Sequence, residues 1–230
     1  GRLRRTLEPN APRGVLDDHA FVAQGLLELY EADPNPKWLT AARVLMDAMI
    51  TEFGDSAGGG FFLAEPGASD LLVRQKSYSD GAEPSGAAVA TLVLQKLRSY
   101  GVESATLERL DFSVRAGGAG LSSQPGSHPV LLRVMDASIR PSMEVVLASE
   151  KDQVGGLQPF LERYNESWRP YSVLAQVSPS ALETLSEFEG LSGKLPGEDG
   201  PRAYVCFDGV CKIPTSDPGE FSRQMQVSPE

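Results

Sequence analysis

Histidine and cysteine are scarce in this chain: its 230 residues hold two of each. His19 and His128 stand far apart, and Cys206 and Cys211 have neither a second cysteine pair nor a nearby histidine. That set cannot supply the Cys/His grouping of a structural zinc ion. Long apolar runs are missing too. No stretch approaches 18 residues, so no transmembrane helix is expected, and no charged start leads into the apolar core of a secretory signal. Positive charge is in short supply, with 21 Lys plus Arg against 31 Asp plus Glu and a net charge of −10. Such a surface repels phosphates and anionic headgroups, which argues against nucleic acid and membrane as main partners. The basic start (Arg2, Arg4, Arg5) is too short to reverse that balance. The remaining composition, 41% apolar and 23% charged, is that of an ordinary globular protein. The expected compartment is the cytoplasm or, in a eukaryote, an organelle lumen. The chain opens on Gly1 rather than Met, so residue 1 reads as a cut in a longer chain.

Helical periodicity dominates the first 140 residues. Leu16 to Tyr30 reads as a helix with Asp17 as N-cap and Phe21, Leu26, Leu29 and Tyr30 on its apolar face. Asp33-Pro34-Asn35-Pro36 ends it. A second helix runs from Lys37 to Phe53 with Trp38, Ala41, Ala42, Leu45, Met49 and Phe53 on one side. A glycine-rich turn, Asp55 to Gly60, leads into a short strand, Phe61 to Leu63. Gly58-Gly59-Gly60 lacks the Lys-Ser/Thr of a phosphate loop and follows a helix, so it is not a nucleotide-binding turn. The third helix, Ser85 to Tyr100, is almost without polar residues in its first half and should be buried on most sides. A fourth is expected from Ser104 to Arg115 and a fifth from Pro129 to Ile139, with His128 in a loop. Helical hairpins with short glycine-rich links suggest a toroid or solenoid.

Near Arg140-Pro141-Ser142 the pattern changes. Met143–Ala148 and Tyr171–Val177 read as strands separated by a helix, Val154 to Trp168. Such short links imply a parallel crossover. A short helix (Ser180 to Glu189), a hairpin (Ala203 to Ile213) and a last helix capped by Asp217 complete the chain. The expected class is α+β: helical hairpins over 1–140, then a small α/β unit over 141–230. Asp208-Gly209 is a hairpin turn signal that brings Cys206 and Cys211 together. The pair admits three readings: a cross-strand disulfide, a redox couple, or two reduced packing residues.

The densest chemistry lies in Arg74-Gln-Lys-Ser-Tyr-Ser-Asp-Gly-Ala-Glu-Pro-Ser-Gly86, where cations and carboxylates crowd the start of an apolar helix. Arg74 and Lys76 can grip a carboxylate or phosphate, or pair with Asp80 and Glu83 and fix the loop. Ser85 caps the third helix beside them and would share any ligand. Asp18 can serve as a general acid or base, or as a first-turn carboxylate facing the helix dipole. His19 titrates near neutrality and is the candidate proton carrier, with a structural role as the alternative.

Several phrases occur in the order found in the spermatogenesis-associated thioredoxin-like family. They are Gly1-Arg2-Leu3, Leu16-Asp-Asp-His-Ala-Phe21, Gln24-Gly-Leu-Leu-Glu-Leu-Tyr-Glu-Ala32, Gly58-Gly-Gly-Phe-Phe62, Asp80-Gly-Ala-Glu-Pro-Ser-Gly86, Tyr204-Val-Cys206 with Cys211, and Ile213-Pro-Thr-Ser-Asp-Pro218. The chain resembles the C-terminal part of that family. The resemblance implies an upstream thioredoxin-like domain, absent here, and an (α/α) toroid similar to N-acylglucosamine 2-epimerases. This chain would supply the last hairpins of the ring and a C-terminal α/β unit. His19 replaces the family's usual aromatic, and Ala87 its usual Asn.

Two function classes follow. In the first the toroid is carbohydrate-active or carbohydrate-binding and epimerase-like. Asp18, His19 and Asp80 would be its catalytic groups, with Arg74, Lys76, Glu83 and Ser85 holding a sugar or sugar acid. In the second the chain is a non-catalytic scaffold supporting the upstream redox domain. Cys206 and Cys211 as a redox-responsive element form a third reading. No metal or organic cofactor is implied, and a partial ring with uncovered apolar faces is expected to self-associate.

Overall fold

The computed structural model describes residues 2–67, 71–102, 105–150 and 154–226. Gly1 and Ser104, which figure in the sequence reading, lie outside that set. The fold is α+β, with helical hairpins and a small α/β unit. Among the described residues no helix is long and apolar enough to cross a membrane. Two compact units emerge. The first comprises Gly1–Leu29, Lys37–Arg98 and Glu103–Asp136; the second comprises Tyr30–Pro36, Ser99–Val102 and Ala137–Glu230.

The helices of the first unit are α1 (Leu16–Ala32, whose last turn belongs to the second unit), α2 (Pro36–Glu52), α3 (Gly86–Ser99), α4 (Ala105–Ser123) and α5 (Pro129–Ser138). The inward face of α1 is Leu16, Ala20, Ala23 and Leu27, a 4-3-4 spacing that makes one continuous stripe. Of the expected face only Tyr30 is fully buried; Phe21 and Leu26 are half-buried and Leu29 is exposed. Large side chains drew the sequence reading, whereas the alanines mark the seam because their small size admits a close neighbour. On α2 the buried residues are Leu39, Ala42, Leu45, Met46 and Met49, followed by Phe53. Helix α3 is buried without a break from Gly86 to Leu94, as its apolar composition requires. Each fully buried Leu or Val contributes about 1.5–3 kcal/mol, so this helix anchors the unit.

Two expectations fail between these helices. Phe61–Leu63 is not a strand; Phe61 makes one isolated bridge to Gly54 and buries its ring. Helix α4 does not stop at Arg115 but continues through Ala116-Gly-Gly-Ala-Gly120 to Ser123. Glycine costs about 1 kcal/mol in a helix, and close packing offsets that cost. A Cβ on Gly117 would collide with Tyr78 and Leu131, and one on Gly120 would sit 2.7 Å from His128 Nε2. His128 lies in the link before α5, as expected, but is buried there, its Nδ1 2.9 Å from the Gln124 carbonyl. One turn glycine follows the same rule. Gly59, at φ +71°, faces the Phe112 carbonyl at 2.6 Å from where a Cβ would stand.

The second unit is built on a four-stranded sheet of β1 (Met143–Ala148), β2 (Ser172–Val177), β3 (Arg202–Phe207) and β4 (Val210–Cys211), in the order β2-β1-β3-β4. Strands β1 and β2 run parallel, and β3 lies antiparallel on the other side of β1. All six residues of β1 are buried, as a central strand covered on both faces demands. Met143, Val145 and Leu147 face α6 (Gln158–Asn165) and α8 (Pro218–Gln224), where Phe160 and Phe221 meet edge to face at 5.6 Å. The expected helix over 154–168 is a 3₁₀ turn, Val154–Leu157, followed by α6. Helix α7 (Pro179–Thr184) is shorter than expected and capped by Ser178. Asp217 caps α8, accepting from the Glu220 amide.

Asp208 and Gly209 both adopt positive φ, +48° and +80°, the conformation of the tight hairpin turn that their sequence signals. Ser142 donates through its backbone N–H to Asp208 and through its hydroxyl to buried Glu144, and the Gly209 amide donates to Glu144. The hairpin is thus tied to the start of β1. Cys206 and Cys211 pair directly across it as a disulfide, Cα atoms 3.8 Å apart, with Cys206 buried and Cys211 exposed. The bridge closes a sequence separation of only 5 residues. So short a loop restricts the unfolded chain little, giving a stabilisation of about 2 kcal/mol. Reduction, or the Cys206→Ser/Cys211→Ser double variant, should therefore lower stability by about that amount while leaving β3 paired to β1. Urea titrations with and without reductant check this; loss of folding on reduction would contradict it.

Candidate functional site

The segment from Phe53 to Gly86 and the head of α1 carry nearly all the residues singled out from the sequence, and they lie in the first unit. Each side chain can be followed to its partners. Arg74 donates from Nε to the Ala64 carbonyl at 2.9 Å and from a terminal nitrogen to the Glu52 carbonyl at 3.2 Å. Its guanidinium stacks 4.0 Å from the Phe62 ring, with Lys76 Nζ 4.7 Å from that ring centre. Lys76 donates to Asp55 and, at 2.8 Å, to the Gly59 carbonyl. The expected pairing of these cations with Asp80 and Glu83 is not what forms. Asp80 is taken up elsewhere, so Lys76 turns to a carboxylate 21 positions earlier.

Asp80 joins two helix starts. One carboxylate oxygen accepts from the Ser85 amide at 2.7 Å and the other from the Val130 amide at 2.9 Å. These amides open α3 and α5 and have no partner inside their helices. Ser85 acts as the N-cap of α3, accepting from the Ala88 amide, and its hydroxyl donates to the Ser77 carbonyl at 2.6 Å. Glu83 lies exposed at the same turn.

At the head of α1 the roles of the two aspartates are exchanged. Leu16 is already helical, so Asp17 is not the N-cap. Asp18 reaches back to accept from the Val15 amide at 2.8 Å, as a carboxylate in the third helical position does in a capping box. Arg5 lies 3.4 Å from the same oxygen. Asp17 instead accepts a hydrogen bond from the Gly86 amide and so ties α1 to the start of α3. Gly86 must be glycine there, because a Cβ would overlap the Asp17 carboxylate. Burial raises the Asp17 pKa, and the charges of Asp18 and Glu83 push it the same way, against Arg5 and the Gly86 bond.

His19 is buried with both ring nitrogens engaged. The Leu3 amide donates to Nε2 at 3.1 Å, and Nδ1 lies 2.9 Å from the Val15 carbonyl, which accepts from it. The ring packs on Phe53 with centroids 5.3 Å apart. His19 therefore holds the N-terminal segment against α1. Among the described residues no group of three or more His, Cys, Asp or Glu is arranged to hold a metal ion.

The structure thus brings together Asp17, Asp18 and Glu83 at one helix junction, and Asp80 with Ser85 at another. It sends Arg74 and Lys76 to carbonyls, to Phe62 and to Asp55. Asp17 and Asp55 were missed as partners. The sequence sign for Asp55 was the Asp-Ser-Ala-Gly phrase, whose aspartate accepts from the amides two and three residues on. Those bonds and, above all, Lys76 hold the Asp55 pKa down at about 2, against an ordinary 3.8. A depressed carboxylate stabilises the fold fully above its unfolded value, and that contribution is lost as pH falls through the folded one. The stability advantage of the native chain over Asp55→Asn should hold above pH 3.8 and shrink towards about pH 2. Denaturation midpoints of the two proteins across that range check the sign; an advantage that grows with acidity would contradict it.

No protein-family model matches the chain. Over 236 residues, 97% of its length, it is 31% identical to spermatogenesis-associated protein 20 of Homo sapiens. The Mus musculus protein of the same name is 29% identical over 235 residues, again 97% of the chain. In both cases the chain spans 30% of the relative's own length. Its order of motifs and an alignment that covers nearly the whole chain have one origin: the chain is homologous to the C-terminal part of spermatogenesis-associated protein 20.

Proposed function

We propose that this chain is a non-catalytic framework region, the supporting part of a longer protein that also carries a redox thioredoxin-like domain. The observation that carries this reading is where the polar side chains spend their hydrogen bonds. Asp18, His19, Arg74, Lys76, Asp80 and Ser85 all direct theirs to backbone or side-chain groups of the same unit. A catalytic group must offer an atom to a substrate, whereas these groups are already bonded to their own chain. The alignment to 30% of the length of its relatives agrees with a role as one region among several.

A second reading is kept for one observation. Asp17 is half-buried, with its pKa raised by burial and by neighbouring carboxylates, which is the electrostatic setting of a general acid. On that reading the helical hairpins belong to an (α/α) toroid that takes a sugar or sugar acid, with Asp17 rather than His19 as the proton donor. Both readings include association. Leu71, Leu72 and Val73 are exposed in succession, and an apolar surface of this kind drives chains together.

Two experiments discriminate. Asp80→Ala should cost about 2–3 kcal/mol, because two helix-start amides lose a charged acceptor. Glucose, N-acetylglucosamine and glucuronate should leave the melting temperature of the native chain unchanged. A ligand-induced rise that Asp17→Asn abolishes would overturn the framework reading in favour of the second. For association, light scattering should give a mass above the 24.7 kDa of one chain. Leu72→Asp/Val73→Asp should return it to a single chain, and a native protein of single-chain mass would end that part of the proposal.

A further inference from the structure

The second unit holds a cleft of about 510 Å³ where the two parallel strands end. Residue Ser149 follows β1, and Gln176, Val177 and Ser178 close β2. In sheets with parallel strands the crevice beyond the carboxyl ends is where ligands lodge, because strand ends and the following turns leave polar groups facing one hollow. Its volume lies within the range of small-molecule sites. The hollow is framed from four separate segments. Pro34 and Pro36, with fixed φ, make a stiff wall, and Leu157 and Val177 supply apolar floor.

The polar lining has a definite character. Ser149 is buried at 5% exposure while its amide donates to the Val177 carbonyl at 3.0 Å. Ser178 and Ser180 hydroxyls lie 3.1 Å apart, and the Gln176 amide is half-buried beside them. Hydroxyls and amides both donate and accept. Among the described residues, Asp33 is the sole ionisable group of the lining, and it is exposed at the rim where solvent screens it. No Lys, Arg or His takes part among the described residues. With no cation among its described lining residues, and in a chain of net charge −10, this hollow does not favour phosphates or carboxylates.

We propose that the cleft at the ends of β1 and β2 binds a small, neutral, polyhydroxylated molecule. Its hydroxyls would exchange bonds with Ser149, Gln176 and the Ser178–Ser180 pair, and its C–H faces would rest on Pro34, Pro36 and Leu157. The inference concerns the second unit and is independent of the framework reading of the first.

The test is amide NMR on the whole 230-residue chain, using myo-inositol as the neutral probe and inorganic phosphate and spermidine as charged controls. Myo-inositol should shift the amides of Ser149, Val177, Ser178 and Ala181 in a saturable way. Phosphate and spermidine should not. Thr184→Trp fills the exposed rim and should weaken inositol binding about tenfold, with resonances outside the cleft unchanged; Gln176→Ala, which adds no bulk, should weaken it in the same direction. Absence of inositol shifts at those amides would overturn the proposal. So would equal shifts with either charged control, or undiminished binding in both variants.

Discussion

The Asp80 carboxylate accepts from two backbone amides that belong to different helices, Ser85 at the start of α3 and Val130 at the start of α5. Helix α3 is the most deeply buried of the first unit, and its opening amides cannot turn to water for partners. An orphan amide in that position costs as much as a lost hydrogen bond. Aspartates supply the acceptors. Asp80 serves Ser85, Asp17 serves Gly86, and the Ser85 hydroxyl serves Ala88. The aspartates crowded before this helix meet the needs of a buried helix start.

The same constraint explains the pairing of cations. With Asp80 consumed by amides, Arg74 and Lys76 are left to the Ala64, Glu52 and Gly59 carbonyls, to Asp55 and to the face of Phe62. These contacts bind a loop with little regular structure to the end of α2. Carbonyls at the end of a helix and in a turn are acceptors without partners, so cations there do for C=O groups what the aspartates do for N–H groups.

Elements whose signal is local and chemical were legible in the sequence. Helix α3 followed from its run of apolar residues, the hairpin from Asp208-Gly209, and the start of α8 from Asp217-Pro218. Elements decided by a distant neighbour were not. The face of α1 turns on Ala20 and Ala23, which carry little hydrophobic weight in sequence yet are completely buried. Helix α4 runs through Gly117 and Gly120 because Leu131, Tyr78 and His128 occupy the space their side chains would need. At the site the residue positions were legible and their partners were not. Hydrogen bonds spanning 50 residues, such as Asp80 to Val130, leave no trace in local spacing.

Structural and catalytic roles draw on the same residue types, which is why the sequence offered both readings for Asp18 and His19. What separates them is the number of lone pairs and protons still uncommitted. His19 has two ring nitrogens and both are used, one by the Leu3 amide and one by the Val15 carbonyl. Asp18 serves the Val15 amide and Arg5. With both ring nitrogens used, His19 stabilises one conformation and resists exchange with a substrate, since any new bond must first break an existing one. Asp17 differs in degree. Its bond to the Gly86 amide favours the charged form, yet burial and two neighbouring carboxylates oppose that charge more strongly. Tension of that kind can be spent on chemistry or can simply be the cost of closing two buried helix starts on each other. The Gly86 contact favours the second use, because a glycine pressed directly against the carboxylate leaves that side of Asp17 occupied by its own chain.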